Sequence, residues 1–191
     1  MKNKLVVLLI LTSLQTMAQE SNARKSFGNI LDKYAMHFQM PEGYSEIAIK
    51  ENNDLGYYYA IKHDTAKLEI RYTFYPIKDV IERNKTSGGL QADPNKMYPT
   101  LTTTNQLNLS GGNEYKITRF APEAVQGEFH ADDGGSTFFP LNSEFGEGYK
   151  HCVMVILHKK DIADAFILFL FDDTEVYQSL SQDPFYSLTF K

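Results

Sequence analysis

The stretch that decides the fold is Tyr149-Lys-His-Cys-Val-Met-Val-Ile-Leu-His158, followed closely by Ala163-Asp-Ala-Phe-Ile-Leu-Phe-Leu-Phe171. In both segments, apolar side chains occupy odd and even positions alike. Successive residues of a strand point to opposite faces, so this pattern predicts two strands that are covered on both faces. Only the short turn His158–Asp161 joins them. We therefore predict that they are antiparallel neighbours at the centre of a sheet.

A second hairpin is predicted upstream, with Tyr57–Lys62 and Leu68–Tyr75 as its arms and His63–Lys67 as its connection. The second arm alternates in character, which predicts one buried face and one mixed face. Further short strands are predicted at 36–40, 45–50, 115–120 and 136–141, and helices at 21–34, after Pro76, and at 97–109, 122–129 and 174–180. The polar stretch 84–95 is predicted to be a mobile surface loop.

These elements define the predicted fold class. It is α+β, with a mainly antiparallel sheet of about six strands and short helices on both faces. The chain has 191 residues, a formal charge of -5 and one cysteine. That length fits one domain. The acidic balance argues against a nucleic-acid partner, and a lone cysteine excludes an intrachain disulfide framework.

The first 18 residues have the layout of a secretory signal peptide. Lys2 and Lys4 precede the apolar run Leu5–Leu11, and Thr16-Met-Ala18 offers small residues for cleavage. The alternative is a retained N-terminal anchor. We expect a signal peptide at 1–18 and a single globular domain at 19–191. Removing two lysines and no acid takes the charge from -5 to -7. No transmembrane segment is expected in the mature chain, which would be periplasmic or extracellular.

Three segments resemble the PsbP-like family of α/β/α sandwich proteins: Phe38-Gln-Met-Pro-Glu-Gly-Tyr44, the tyrosine-rich strand at Tyr57, and the closing hairpin 149–171. The resemblance implies a binding or assembly role and supplies no catalytic residues, since the family shares none. The segments Glu128–Asp133 and Gly148–Cys152 also resemble those of secreted Bacteroidota proteins of unassigned function.

One candidate metal cluster stands out, formed by His130, Asp132 and Asp133, with His151 or His158 as further ligands. Imidazole and carboxylate groups suit zinc or manganese, which would make the protein a metal-dependent hydrolase. The alternative is a tight turn at Asp133-Gly134-Gly135, which the residue types favour. Cys152 beside His151 is best explained as a buried core residue, because adjacent strand side chains point to opposite faces.

The candidate binding residues are Tyr57, Tyr58 and Tyr75. Tyrosine is amphipathic and suits recognition surfaces, and because both strand parities carry it, at least one ring is expected to point outward. The alternative is ordinary half-buried packing of strand residues. We therefore expect an exported domain that binds an unknown protein or small ligand without catalysis or cofactor. A metal-dependent hydrolase and a structural role in the cell envelope are the alternatives.

Overall fold

The computed structural model describes residues 22–87 and 92–191, so the predicted signal peptide lies outside the described residues. The strands are β1 (Met36–Phe38), β2 (Tyr44–Glu46), β3 (Tyr59–His63), β4 (Leu68–Tyr75), β5 (Thr118–Arg119), β6 (Asp133–Pro140), β7 (His151–Lys159), β8 (Ala163–Phe171) and β9 (Leu188–Phe190). The helices are α1 (22–33), α2 (Ile77–Ser87), α3 (Tyr98–Ser110), α4 (Pro122–Phe129), α5 (Ser143–Gly146), α6 (Thr174–Leu180) and α7 (Gln182–Phe185), with a 3-10 turn at Pro94–Met97.

Seven strands form one sheet in the order β2-β3-β4-β8-β7-β6-β5. Every neighbouring pair in it is antiparallel. The apolar runs of the sequence therefore lie where they were predicted, with β8 in the middle and β7 beside it. Strands β1 and β9 form a separate antiparallel pair. The prediction of an α+β fold with a mainly antiparallel sheet is confirmed, with seven strands in the main sheet.

Each face of this sheet carries its own apolar core. On one face, Val153, Val155 and Leu157 of β7 pack with residues of α1, α4, α6 and α7. On the other, Cys152, Met154 and Ile156 pack with residues of α3 and α5. Odd-numbered side chains of β7 thus pack in one core and even-numbered side chains in the other. This explains why β7 and β8 are apolar at nearly every position.

Strand β4 departs from the prediction of one buried and one mixed face. Its polar residues Glu69, Arg71 and Thr73 are buried along with its apolar ones. The reason is topological: β4 is the third strand of seven, one of its faces packs into an apolar core, and Phe145 and Gly56 lie over its polar face. A period of two records which residues share a face, but it does not record whether a layer covers that face.

The interpretation of Asp133-Gly134-Gly135 as a turn is wrong, because all three residues belong to strand β6. Both positions favour glycine because a side chain there would crowd the backbone of a neighbouring strand. A Cβ on Gly135 would lie 2.7 Å from the backbone oxygen of Thr118, and one on Gly134 would lie 3.1 Å from that of Ile156. The glycines therefore let neighbouring backbones approach closely.

Helix α2 also extends beyond expectation. It continues to Ser87, so the first four residues of the predicted loop 84–95 are helical. Residues 88–91 of that loop lie outside the described residues. Within the described part of the chain, no helix has both the length and the apolar character needed to cross a membrane.

Candidate functional site

A polar cleft opens between the irregular segment that joins β2 to β3 and the short helix α5. Its volume is about 660 Å³. The lining residues combine amides, carboxylates, one amine and one aromatic ring: Ile49, Lys50, Glu51, Asn52, Asn53, Gly56, Tyr57, Glu144 and Glu147. Small-molecule sites are concave and carry convergent polar groups that fix the orientation of the ligand, and this cleft has both features.

The wall of this cleft is supported by a buried guanidinium, that of Arg71 on β4, which is 1% exposed. Its Nε donates to Glu69 Oε1 at 2.7 Å, and its Nη1 donates to the Phe145 carbonyl oxygen at 2.9 Å. Its Nη2 donates to Glu147 Oε2 at 3.3 Å. A buried cation is tolerated only when it is paired and hydrogen-bonded, and Arg71 meets that condition through three acceptors.

Two aromatic rings face this guanidinium. The Cζ atom of Arg71 lies 4.9 Å from the Tyr57 ring centroid and 4.5 Å from that of Phe145. The Tyr57 hydroxyl accepts a hydrogen bond from the backbone N–H of Lys50 at 2.8 Å. Burial raises the pKa of Tyr57 above its ordinary value, so the hydroxyl stays protonated. Tyr57 thus joins the cleft to the cluster around Arg71.

The three tyrosines predicted as binding residues have different positions. Tyr57 lines the polar cleft and also a second hollow of about 330 Å³, to which Tyr58 contributes. Tyr58 is 45% exposed, as expected for an outward-pointing ring. Tyr75 is partly buried and packs against the core on the α3 side. The structure therefore brings Tyr57 and Tyr58 to adjoining hollows and places Tyr75 in the packing of the domain.

Of the proposed metal ligands, His130, Asp132 and Asp133 are each held by other groups. His130 Nδ1 lies 3.0 Å from the Phe190 carbonyl oxygen, and Asp132 accepts from the Lys160 N–H at 2.8 Å. Asp133 Oδ1 accepts a hydrogen bond from the Gly134 N–H, and Asp133 Oδ2 lies 3.4 Å from Arg119 Nη1. Across residues 22–87 and 92–191, no group of three or more histidine, cysteine, aspartate or glutamate side chains could hold a metal ion.

Cys152 is buried in strand β7 and carries no disulfide. Burial raises the pKa of its thiol far above the ordinary range, so the reactive thiolate does not form. This agrees with the interpretation of Cys152 as a core residue.

A buried acid–base pair that was not predicted from the sequence lies where β7 and β8 approach their connecting turn. His158 Nδ1 lies 2.6 Å from Asp164 Oδ1, and Asp164 is fully buried. The Tyr98 ring lies 5.0 Å from the imidazole. Burial raises the pKa of Asp164, and the hydrogen bond with His158 partly offsets that rise. The available signal was that the two residues flank a tight hairpin turn, which makes them cross-strand partners.

The role of Arg71 beside the cleft was also not predicted from the sequence. Glu69 and Arg71 are two apart on a strand, so they share one face, and that spacing predicts an ion pair. Their pairing at 2.7 Å follows from this placement. What the spacing does not show is that α5 and the segment before β3 bury the pair beside a cleft.

Together, the fold and the site define an α+β domain with a polar surface cleft built over a buried arginine. No family model matches the chain. No curated protein matches it significantly.

Proposed function

We propose that this protein is an exported, non-catalytic binding protein that takes a small polar ligand in the cleft beside Tyr57. The observation that carries the proposal is the cleft itself, in which amide, carboxylate and amine groups converge next to an aromatic ring. Such a surface recognises a compact molecule with several hydrogen-bonding groups. Export is supported by the signal-peptide layout of residues 1–18.

Three further observations support binding as the class of function. Tyr57 is fixed by its bond to the Lys50 N–H and by its contact with Arg71, so the ring is held in place before a ligand arrives. Preorganisation of this kind lowers the entropic cost of binding. Tyr58 extends the surface with an exposed ring. The resemblance to the PsbP-like family, which has mostly binding and assembly roles, favours the same class.

The test is to fill the cleft without disturbing the fold. Gly56 lines the cleft, and a Cβ added there meets no atom within 4 Å, so Gly56→Phe introduces a bulky side chain at the cleft wall without a backbone clash at its first atom. Gly127 in helix α4 has equally open surroundings, and Gly127→Phe is the matched control. A panel of amino acids, sugars, polyamines and carboxylates is titrated into the protein and followed by amide chemical shifts.

We expect at least one class of compound to give saturable shifts at cleft residues such as Asn52 and Gly56. The shifts should disappear in Gly56→Phe and persist in Gly127→Phe. If no compound shifts the cleft amides, or if the shifts survive when the cleft is filled, the proposed function is wrong.

A further inference from the structure

We infer that Arg71 and Lys50 form a carboxylate-binding site, which Glu147 occupies in this structure and from which a carboxylate-bearing ligand of the cleft displaces it. This inference rests on the proposed function and names the chemistry of the ligand. The observation behind it is that two cations from different elements meet at a single oxygen atom, Glu147 Oε2, on the cleft wall.

The guanidinium of Arg71 is held in a fixed position, and its Nη2 group remains directed toward the cleft wall. Glu69 and the Phe145 carbonyl take two of its donors, and two rings enclose it. The Nη2 group is directed toward Glu147. A planar guanidinium that is already fixed binds a carboxylate with little further loss of side-chain freedom.

Lys50 completes the site from the loop side of the cleft. Its Nζ donates to Glu147 Oε2 at 2.7 Å. This hydrogen bond raises the pKa of Lys50 above its ordinary value, so the amine stays charged. A carboxylate placed where that of Glu147 now lies would thus receive two charge-assisted hydrogen bonds.

The side chain of Glu147 can move away from Arg71 and Lys50 at low cost. Its side chain is 29% exposed, and its contact with Arg71, at 3.3 Å, is the longest of the three that Arg71 makes. Its backbone lies in the left-handed region, with φ of 45°, and Gly148 follows with φ of 98°. A non-glycine residue in this region is strained, and a glycine beside it permits a local backbone change. When Glu147 turns outward, Arg71 keeps Glu69 and Phe145 as partners.

The cleft also supplies a control for charge. Glu144 lines the same wall, but its carboxylate accepts from Asn53 Nδ2 at 3.1 Å. Removing Glu144 therefore changes the net charge of the cleft as much as removing Glu147, yet vacates no position beside Arg71. Any gain in anion binding that is specific to Glu147 reflects the vacated position and not the general field.

The experiment uses Glu147→Gly, which removes the carboxylate and relieves the left-handed backbone, with Glu147→Asn as a second variant that tolerates that backbone. Glu144→Ala is the charge-matched control. Acetate is titrated at constant ionic strength, and the buried Nε–H resonance of Arg71 is followed by NMR. Triglycine with a free or an amidated C-terminus is titrated in parallel, because a carboxylate could come from a small acid or from the end of a peptide.

We expect acetate to shift the Arg71 resonance saturably in both Glu147 variants. The affinity should be about tenfold or more above that of the wild type, in which Glu147 competes as a tethered ligand. Glu144→Ala should behave as the wild type. Free triglycine, but not its amide, should shift the resonance if the site accepts peptide C-termini; if only acetate acts, the ligand is a small acid.

Two results overturn the inference. One is an Arg71 resonance that acetate leaves unchanged in both Glu147 variants, and the other is an equal gain of affinity in Glu144→Ala. Either result leaves the proposed function standing if compounds of the panel still bind the wild-type cleft. If the panel finds no ligand at all, the proposed function fails on its own measurement.

Discussion

Replacing Arg71 by methionine should destabilise the domain more than any change at a surface ion pair. Arg71 and Glu69 have side chains that are 1% and 8% exposed, so water cannot compensate either charge. In Arg71→Met, Glu69 is left as a buried carboxylate without its cation. Breaking a buried pair by removing one partner costs about 3–5 kcal/mol. For a domain of this size, that loss lowers Tm by roughly 6–20 °C.

The double variant Arg71→Met with Glu69→Leu separates the cost of the unpaired charge from the value of the pair. With both charges gone, two smaller costs remain: the Phe145 carbonyl loses its donor, at about 1–3 kcal/mol, and the Tyr149 hydroxyl loses its hydrogen bond with Glu69. Glu147, on the cleft wall, can be hydrated instead. The double variant should therefore be more stable than the single one.

Urea unfolding at neutral pH measures both variants, with an unchanged m value as the sign that the compactness of the two end states is preserved. Lys50→Met is the control, because its pair with Glu147 is 60% and 29% exposed. An exposed pair of this kind contributes about 0–1 kcal/mol. The reasoning is refuted if Arg71→Met costs less than Lys50→Met, or if the double variant is no more stable than Arg71→Met.

Three further predictions follow from single positions. Gly135→Ala should cost about 1–3 kcal/mol in urea unfolding, because its Cβ would lie 2.7 Å from the Thr118 oxygen; Gly127→Ala, with open surroundings, should be neutral or stabilising, and equal effects would contradict the packing argument. Burial raises the pKa of Asp164 in the folded state, so its contribution to stability is full below about pH 4 and is lost as pH rises through the folded value. The stability of Asp164→Asn relative to the wild type should therefore increase with pH over that window, and a flat or falling difference would contradict this. The Cys152 thiol should react with a thiol reagent only at the rate of unfolding, and rapid labelling of the native protein would show that it is accessible.

The sequence predicts the centre of this fold better than its periphery. The apolar runs at 149–158 and 163–171 place β7 and β8 correctly because burial on both faces leaves a direct mark on composition. The pair Gly134-Gly135 misleads because glycine serves both turns and close strand approach, and only the position of Thr118 distinguishes the two.

The candidate site was predicted only in part. Tyr57 and Tyr58 were identified from composition, and both line hollows. Arg71, which supports the cleft, could be paired with Glu69 from strand spacing, but its burial depends on Phe145, which is distant in the chain. A cleft is lined by residues from segments that are distant in the sequence. A local sequence pattern can therefore identify single cleft residues, but it cannot show which of them lie together.

The position of β8 in the sheet has a consequence for how the chain folds. Strands β7 and β8 are joined by a tight turn and can pair early, whereas β8 meets β4 only when Leu68 reaches Phe171, far along the chain. Closing so long a loop is slow. Until it closes, the free edge of β8 displays Phe166-Ile-Leu-Phe-Leu-Phe171, a segment suited to pairing between molecules. We therefore expect the pairing of β4 with β8 to remove this exposed edge and to lower the tendency of the folding chain to aggregate.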